Sequence, residues 1–282
     1  MITETESRPR IGIDVLQVTK QHVEVSLHVV ENTVDFDALE TEWDLLFEES
    51  GVSVFQSFEW QRSWWKYYRE RHPRAHLYII VIRGKRRLLA IAPFFTETVR
   101  TLGLFNLCKL SFLGREDSDY LDVLMVKGYE SLCTNLIASH LAEHRSMFDV
   151  LYFEDIPERS RTHALLYEAL AKVGFCGERF INEYCPRTHL LDSWEATVAS
   201  FSGTHRRHLN QRRRQVSENF VVEFEMTTRQ EEVRGNMADF IALHQQRWNK
   251  MGYKGAFSDQ RVVAFHHEVA QRCFQRGWLY LA

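Results

Sequence analysis

The stretch LHQQRWNKMGYKGAFSD, Leu243 to Asp259, places His244, Arg247, Trp248, Tyr253 and two glycines where one helix closes and another opens. Capping such a turn needs only a glycine and a few polar residues, so this one carries more chemistry than its geometry requires. His244 and Arg247 are candidates to touch a substrate, and Tyr253 to form a cleft wall. A bland account stands beside that one. At about 100° per residue, Val233, Met237, Phe240, Ile241, His244, Trp248 and Met251 share one apolar stripe with Arg247 at its edge. Packing then explains His244 and Trp248 taken singly, with Gly252 as the helix cap. Only the combination with Gly255 and the short turn points to a site.

Three other groups of residues invite the same question. HRRHLNQRRR, His205 to Arg214, holds five arginines and two histidines around a single leucine. Guanidinium forks suit phosphate and carboxylate, which makes Arg206, Arg207 and Arg213 candidate anion contacts. A solvated helix face accounts for the same residues. LGREDSDYLDVL, Leu113 to Leu124, carries acids at 116, 117, 119 and 122, and its Asp119 and Tyr120 are candidates for a second cleft wall, against the competing account of a turn rich in caps. The aromatics of FQSFEWQRSWWKYY, Phe55 to Tyr68, read mainly as core, with Gln56 and Trp60 near the helix start able to line a pocket.

These groups need elements to position them. Residues 1–20 read as a mobile tail and Val23–Val30 as a strand. A helix is expected over Asp35–Glu49 and another from a Ser57 cap. Leu77–Arg83 and Arg87–Thr96 flank Gly84-Lys85 as a hairpin. Strands are expected at Leu121–Val126 and Asp149–Glu154, helices at Tyr129–His144 and Ser160–Lys172, and an extended return over Phe175–Leu190. Strands interleaved with helices imply an α/β domain over 21–190. A change of character near Leu190 then opens a second domain over 191–282. It holds helices at Ser193–Phe201, Thr204–Asn219, Arg229–Lys250 and Gln260–Arg276, and strands at Phe220–Thr227 and Gly277–Ala282.

Composition narrows the classes. The chain has 282 residues, 45% of them hydrophobic, and a net charge of −3, so any anion site is local and nucleic acid is disfavoured as a partner. The five cysteines are scattered without a C-x-x-C pair, which argues against structural zinc and fits a reducing compartment. No metal is expected. Residues 1–20 lack the apolar core of a signal peptide, and no apolar run is long enough to span a bilayer, so the expected location is cytoplasmic. G-x-x-x-x-G-K-[ST], G-x-S-x-G, H-E-x-x-H and G-x-G-x-x-G are all missing, which lowers the weight of triphosphate hydrolysis, serine hydrolysis and dinucleotide chemistry.

From Asp192 onward, DSWEATVASFSG, RRHLNQRRRQV, LHQQRWNKMGYKGAF and RGWLYLA follow one another in an order that resembles the GNAT-type acyltransferase domain of the CelD-like proteins of cellulose biosynthesis, relatives of the FemAB-like aminoacyltransferases. Upstream, FQSFEWQRSWW and LGREDSDYLDVL also resemble the N-terminal half of that family. The resemblance implies two GNAT-like α/β halves with mixed sheets flanked by helices, the second incomplete. It also implies transfer of an acyl group from acetyl-CoA or another acyl-CoA to the amine of a small-molecule or envelope-precursor acceptor. A non-catalytic module binding a phosphorylated ligand or nucleic acid through the Arg-rich helix is the alternative. The [RQ]-x-x-G-x-[GA] loop that cradles the pyrophosphate in the superfamily does not occur in residues 1–282, and the resemblance places it after Ala282.

Overall fold

The protein is described by a computed structural model at residues 14–18, 23–85, 87–101 and 105–282. Its strands there are β1 (Asp14–Val18), β2 (Val23–Val30), β3 (His76–Gly84), β4 (Leu88–Thr101), β5 (Phe105–Phe112), β6 (Leu124–Met125) and β7 (Val150–Leu151). They form one sheet in the order β1-β2-β3-β4-β5-β7, with β6 on β4. Every pairing is antiparallel except β5 with β7, so the sheet is mixed.

The helices are α1 (Thr33–Ala38), α2 (Glu40–Ser50), α3 (Phe58–Arg71), α4 (Glu130–Glu143), α5 (Thr162–Lys172), α6 (Trp194–Ser200), α7 (Gly203–Asn219), α8 (Gln230–Lys250) and α9 (Gln260–Gln275). Leu77 to Ile82 of β3 are all buried, as a strand covered on both faces requires. Successive side chains on β4 show what covers each face. Phe95 meets Trp64, Trp65 and Tyr68 of α3. Phe94 points the other way, in register with Tyr78, whose hydroxyl lies 2.9 Å from His140 of α4. Thus α3 and α4 sit on opposite faces.

The hairpin and the capped start of α3 form as the sequence predicts, with Ser57 Oγ accepting from the Trp60 amide at 3.3 Å. Several expectations need correction. The helix expected over Asp35–Glu49 is divided between α1 and α2 at Leu39. The strands expected at Leu121–Val126 and Asp149–Glu154 shrink to two residues each, which pair with β4 and β5 respectively. β5 forms where the sequence pattern suggests no strand. Phe220–Thr227 and Gly277–Ala282 are not strands. A single rung joins them, from the Thr227 amide to the Leu281 carbonyl at 2.8 Å, and one rung is not a ladder. Val221 and Phe224 stay exposed, so among the described residues there is one sheet and not two. The tail expected over 1–20 lies largely outside the described residues, although Asp14–Val18 within it pairs as β1.

Helix α9 couples the two parts of the chain. Its Phe265, Val269 and Cys273 join the main core, while Ala270 packs with Val233, Met237 and Phe257 in a smaller cluster. Polar contacts reinforce this seam. Glu268 accepts from Ser63 (3.3 Å), Lys66 (2.6 Å) and Tyr67 (2.8 Å) of α3, and Arg276 reaches Asp44 at 2.8 Å and Glu59 at 3.3 Å. Among the described residues no helix is long and apolar enough to cross a membrane.

Candidate functional site

The turn after α8 is shaped by Gly252 and Gly255, both at positive φ, and Tyr253 donates its amide to the Trp248 carbonyl at 3.0 Å. At Gly255 an added Cβ would meet the Gln245 amide, which would have to move. That amide holds the turn together. Gln245 Nε2 donates to the Lys254 carbonyl at 2.8 Å, and its Oε1 accepts from the Phe257 amide at 3.2 Å. Phe257 is thereby pressed into the gap between α8 and α9.

From Phe257 a line of rings crosses the molecule. His244 stands edge-on to Phe257 at 4.9 Å, and Phe257 stands edge-on to His266 of α9 at 4.9 Å. His266 faces Trp60 of α3 at 6.5 Å, Trp60 meets Phe55 at 4.7 Å, and Phe55 meets Tyr120 at 6.4 Å. Arg187 lies 5.2 Å over the Tyr120 ring. Two residues singled out separately in the sequence, His244 and Tyr120, therefore stand at the two ends of one aromatic wall.

The loop that carries the far end of this wall is equally constrained. Gly114 adopts φ 88°, and a Cβ there would meet Ser118 Oγ at 2.8 Å. Arg115 pairs with Glu97 and lies 3.4 Å from Glu154, which ties the loop to the sheet. Ser118 in turn accepts from Trp60 Nε1 at 2.8 Å, and Ser53 Oγ donates to the Tyr120 carbonyl at 3.0 Å. Asp117 Oδ2 accepts from Trp64 Nε1 at 2.9 Å.

The electrostatics centre on His266. Its Nδ1 lies 2.8 Å from the Val262 carbonyl, an acceptor, so Nδ1 carries the proton and the lone pair belongs to Nε2. Burial holds this imidazole below its ordinary value of 6.5, while the Asp117 charge pulls it partly back. The ring is neutral at pH 7 and can accept a proton. Burial raises the Asp117 carboxyl above the usual carboxylate range, against the hydrogen bond from Trp64.

The remaining candidates are not among the rings of this line. Arg247 and Tyr253 are exposed at the end of α8, with Tyr253 edge-on to Trp248 at 5.7 Å. Asp119 is exposed on the Gly114 loop. Arg206, Arg207 and Arg213 lie on α7, which buries none of its residues. There Arg206 donates to the Ala199 carbonyl at 2.6 Å, and Arg213 lies 5.7 Å over Trp194. Both line a shallow groove with Glu195 and Val198, away from the aromatic wall. Gln56 lies in the interior. Its side chain is fully buried, and the residue serves the core by accepting Trp43 Nε1 on its carbonyl at 2.9 Å.

His266 and Gln245 are not among the residues that local composition singles out, and Asp117 is one acid among several in its loop. The phase of α9 carries a signal for His266. It follows Phe265, which begins the apolar row Phe265, Val269, Cys273, and so sits beside the buried face rather than opposite it.

Residues 203–282 match the family model of the acetyltransferase (GNAT) domain. That segment contains α7, α8 and α9 and therefore contributes His244, Phe257 and His266 to the wall. The match supports acyl transfer as the chemistry and the GNAT superfamily as its source. No curated protein matches the chain.

Proposed function

We propose that this protein is a GNAT-type N-acyltransferase whose reaction takes place at the aromatic wall between the sheet-bearing half and the GNAT-matching segment. The observation that carries this reading is the position of His266. A neutral, half-buried imidazole from the matching segment faces Trp60 and the charge of Asp117 from the other half. In this reading an amine attacks the thioester carbonyl of acyl-CoA, its proton passes to His266 Nε2, and the C–S bond breaks to release CoA as the thiolate. His244, Arg247 and Tyr253 contact the substrate from one side, and Asp119 and Tyr120 from the other. A neutral base suits this step, since an imidazolium could not accept the proton.

The finer assignment follows the resemblance: a cytoplasmic CelD-like or FemAB-like enzyme of two GNAT-like halves, with an envelope or polysaccharide precursor as acceptor. Arg206, Arg207 and Arg213 provide anion contacts for a phosphorylated part of either substrate. A second reading makes α7 the whole function, as a module for phosphorylated ligands or nucleic acid, and the groove between Arg206 and Arg213 favours it. Thiol release from acetyl-CoA by the full-length protein, assayed across amine acceptors, separates the two. Amine-dependent release supports the enzyme. Salt-sensitive oligonucleotide binding with no CoA binding and no release would defeat it.

A further inference from the structure

The last turn of α4 carries His140, Glu143 and His144, one donor atom of each lying within 4.8 Å of the other two. Spacings of three and four residues put all three side chains on one helix face. The site is on the opposite side of the sheet from α3 and from the aromatic wall that α3 helps to build. It takes no part in the chemistry described above.

Several features suit a cation. The three residues sit at the carbonyl end of α4, where the helix dipole favours positive charge. The His144 Nδ1 lies 2.9 Å from the His140 carbonyl, so Nδ1 carries the proton and Nε2 presents the lone pair. His140 is buried at 4% exposure, and its Nε2 lies 2.9 Å from the Tyr78 hydroxyl. An imidazole fixed through its second nitrogen is the usual arrangement of a metal-bound histidine. Glu143 is exposed and supplies the carboxylate at the solvent edge. The adjacent Arg145 turns to the Gly174 carbonyl at 3.2 Å and to the Phe175 ring.

We propose that His140, Glu143 and His144 bind a divalent cation of the zinc class, with solvent at the remaining position. Two imidazoles and one carboxylate favour Zn²⁺ or Co²⁺ over the oxygen-seeking Mg²⁺ and Ca²⁺. This reverses the expectation, drawn from the cysteines, that the chain holds no metal, and it is independent of the acyltransferase reading. Tyr78 is a positioning residue for His140.

Equilibrium dialysis of the metal-stripped full-length protein against Zn²⁺ tests the site, with Co²⁺ absorption as a second readout. The expected result is one Zn²⁺ bound per chain, a visible Co²⁺ band of low coordination number, and no binding of Mg²⁺. Glu143→Gln lies at the surface and His144→Ala truncates a half-buried ring at the helix end, and each is expected to keep the fold, abolish the Co²⁺ band and weaken Zn²⁺ by at least about tenfold. Tyr78→Phe preserves the packing but removes the hydroxyl, with an expected loss of about tenfold in affinity. No stoichiometric Zn²⁺ binding would overturn the proposal. So would binding that His144→Ala and Glu143→Gln leave unchanged.

Discussion

The sheet-bearing half and the GNAT-matching segment are built on different scales. The first fully buries Trp43, Trp64, Tyr78, Phe94 and Phe95 in the sheet and in the helices that cover it. The second buries little of its own: Val233, Met237, Phe257 and Ala270, while α7 buries none of its residues. Each large side chain buried contributes about 1.5–3 kcal/mol, so three such residues and one alanine cannot order three helices alone. The segment with the recognisable chemistry is held in place by the half without it. α9 is the shared part, and the candidate base His266 sits on that helix beside residues of the larger core.

This contrast can be broken in graded ways. Trp43→Ala removes an indole that touches Phe36 and Phe58 and donates to Gln56. Its expected cost is about 3–5 kcal/mol, read by urea denaturation, and both halves should lose structure together. Glu268→Ala cuts the polar links from α9 to α3 at a cost of about 1.5–3 kcal/mol. Hydrogen exchange should then rise in α8 and α9 but not in β3 and β4. Equal rises everywhere would show that the two regions are one cooperative unit. Gly255→Ala is expected to cost about 1–3 kcal/mol through its φ of 73° and the collision with Gln245, and to slow acyl transfer without global unfolding. Pairing it with Gln245→Ala should relieve the collision but not the strained φ.

The smallest effect concerns pH. Because burial depresses the His266 pKa, the unfolded chain takes up its proton first, and stability falls as pH drops below 6.5. The acid limb of the rate profile is likewise expected below pH 6.5. The Asp117 charge raises that pKa, so Asp117→Asn should move the limb to still lower pH, as a kcat profile would show. A shift to higher pH would contradict the electrostatic coupling between the two halves.

The elements that position the wall were largely legible in the sequence, and the wall itself was not. The Ser57 cap, the β3–β4 hairpin and the bounds of α8 and α9 follow from local patterns, because caps and periodicity act within a few residues. FNLCKLSF concealed β5, since Asn, Cys, Lys and Ser interrupt its apolar run. FVVEFEM misled in the opposite direction. Its alternation shows that residues 220–226 can pair, but pairing needs a neighbour, and only Thr227 finds one. His244 and Tyr120 stand out through local composition, yet their relation depends on Phe257, His266, Trp60 and Phe55, which come from two distant regions of the chain. No local pattern encodes a contact between residues 60 and 266.

The most direct test of the central claim is the kcat of His266→Gln in the full-length protein, measured with acetyl-CoA and an accepted amine. The amide keeps much of the packing at Trp60 and Phe257 but cannot take the proton. A fall of about 10²–10⁴-fold with an unchanged unfolding midpoint is the predicted result. An unchanged kcat would place the base elsewhere and reduce the aromatic wall to packing.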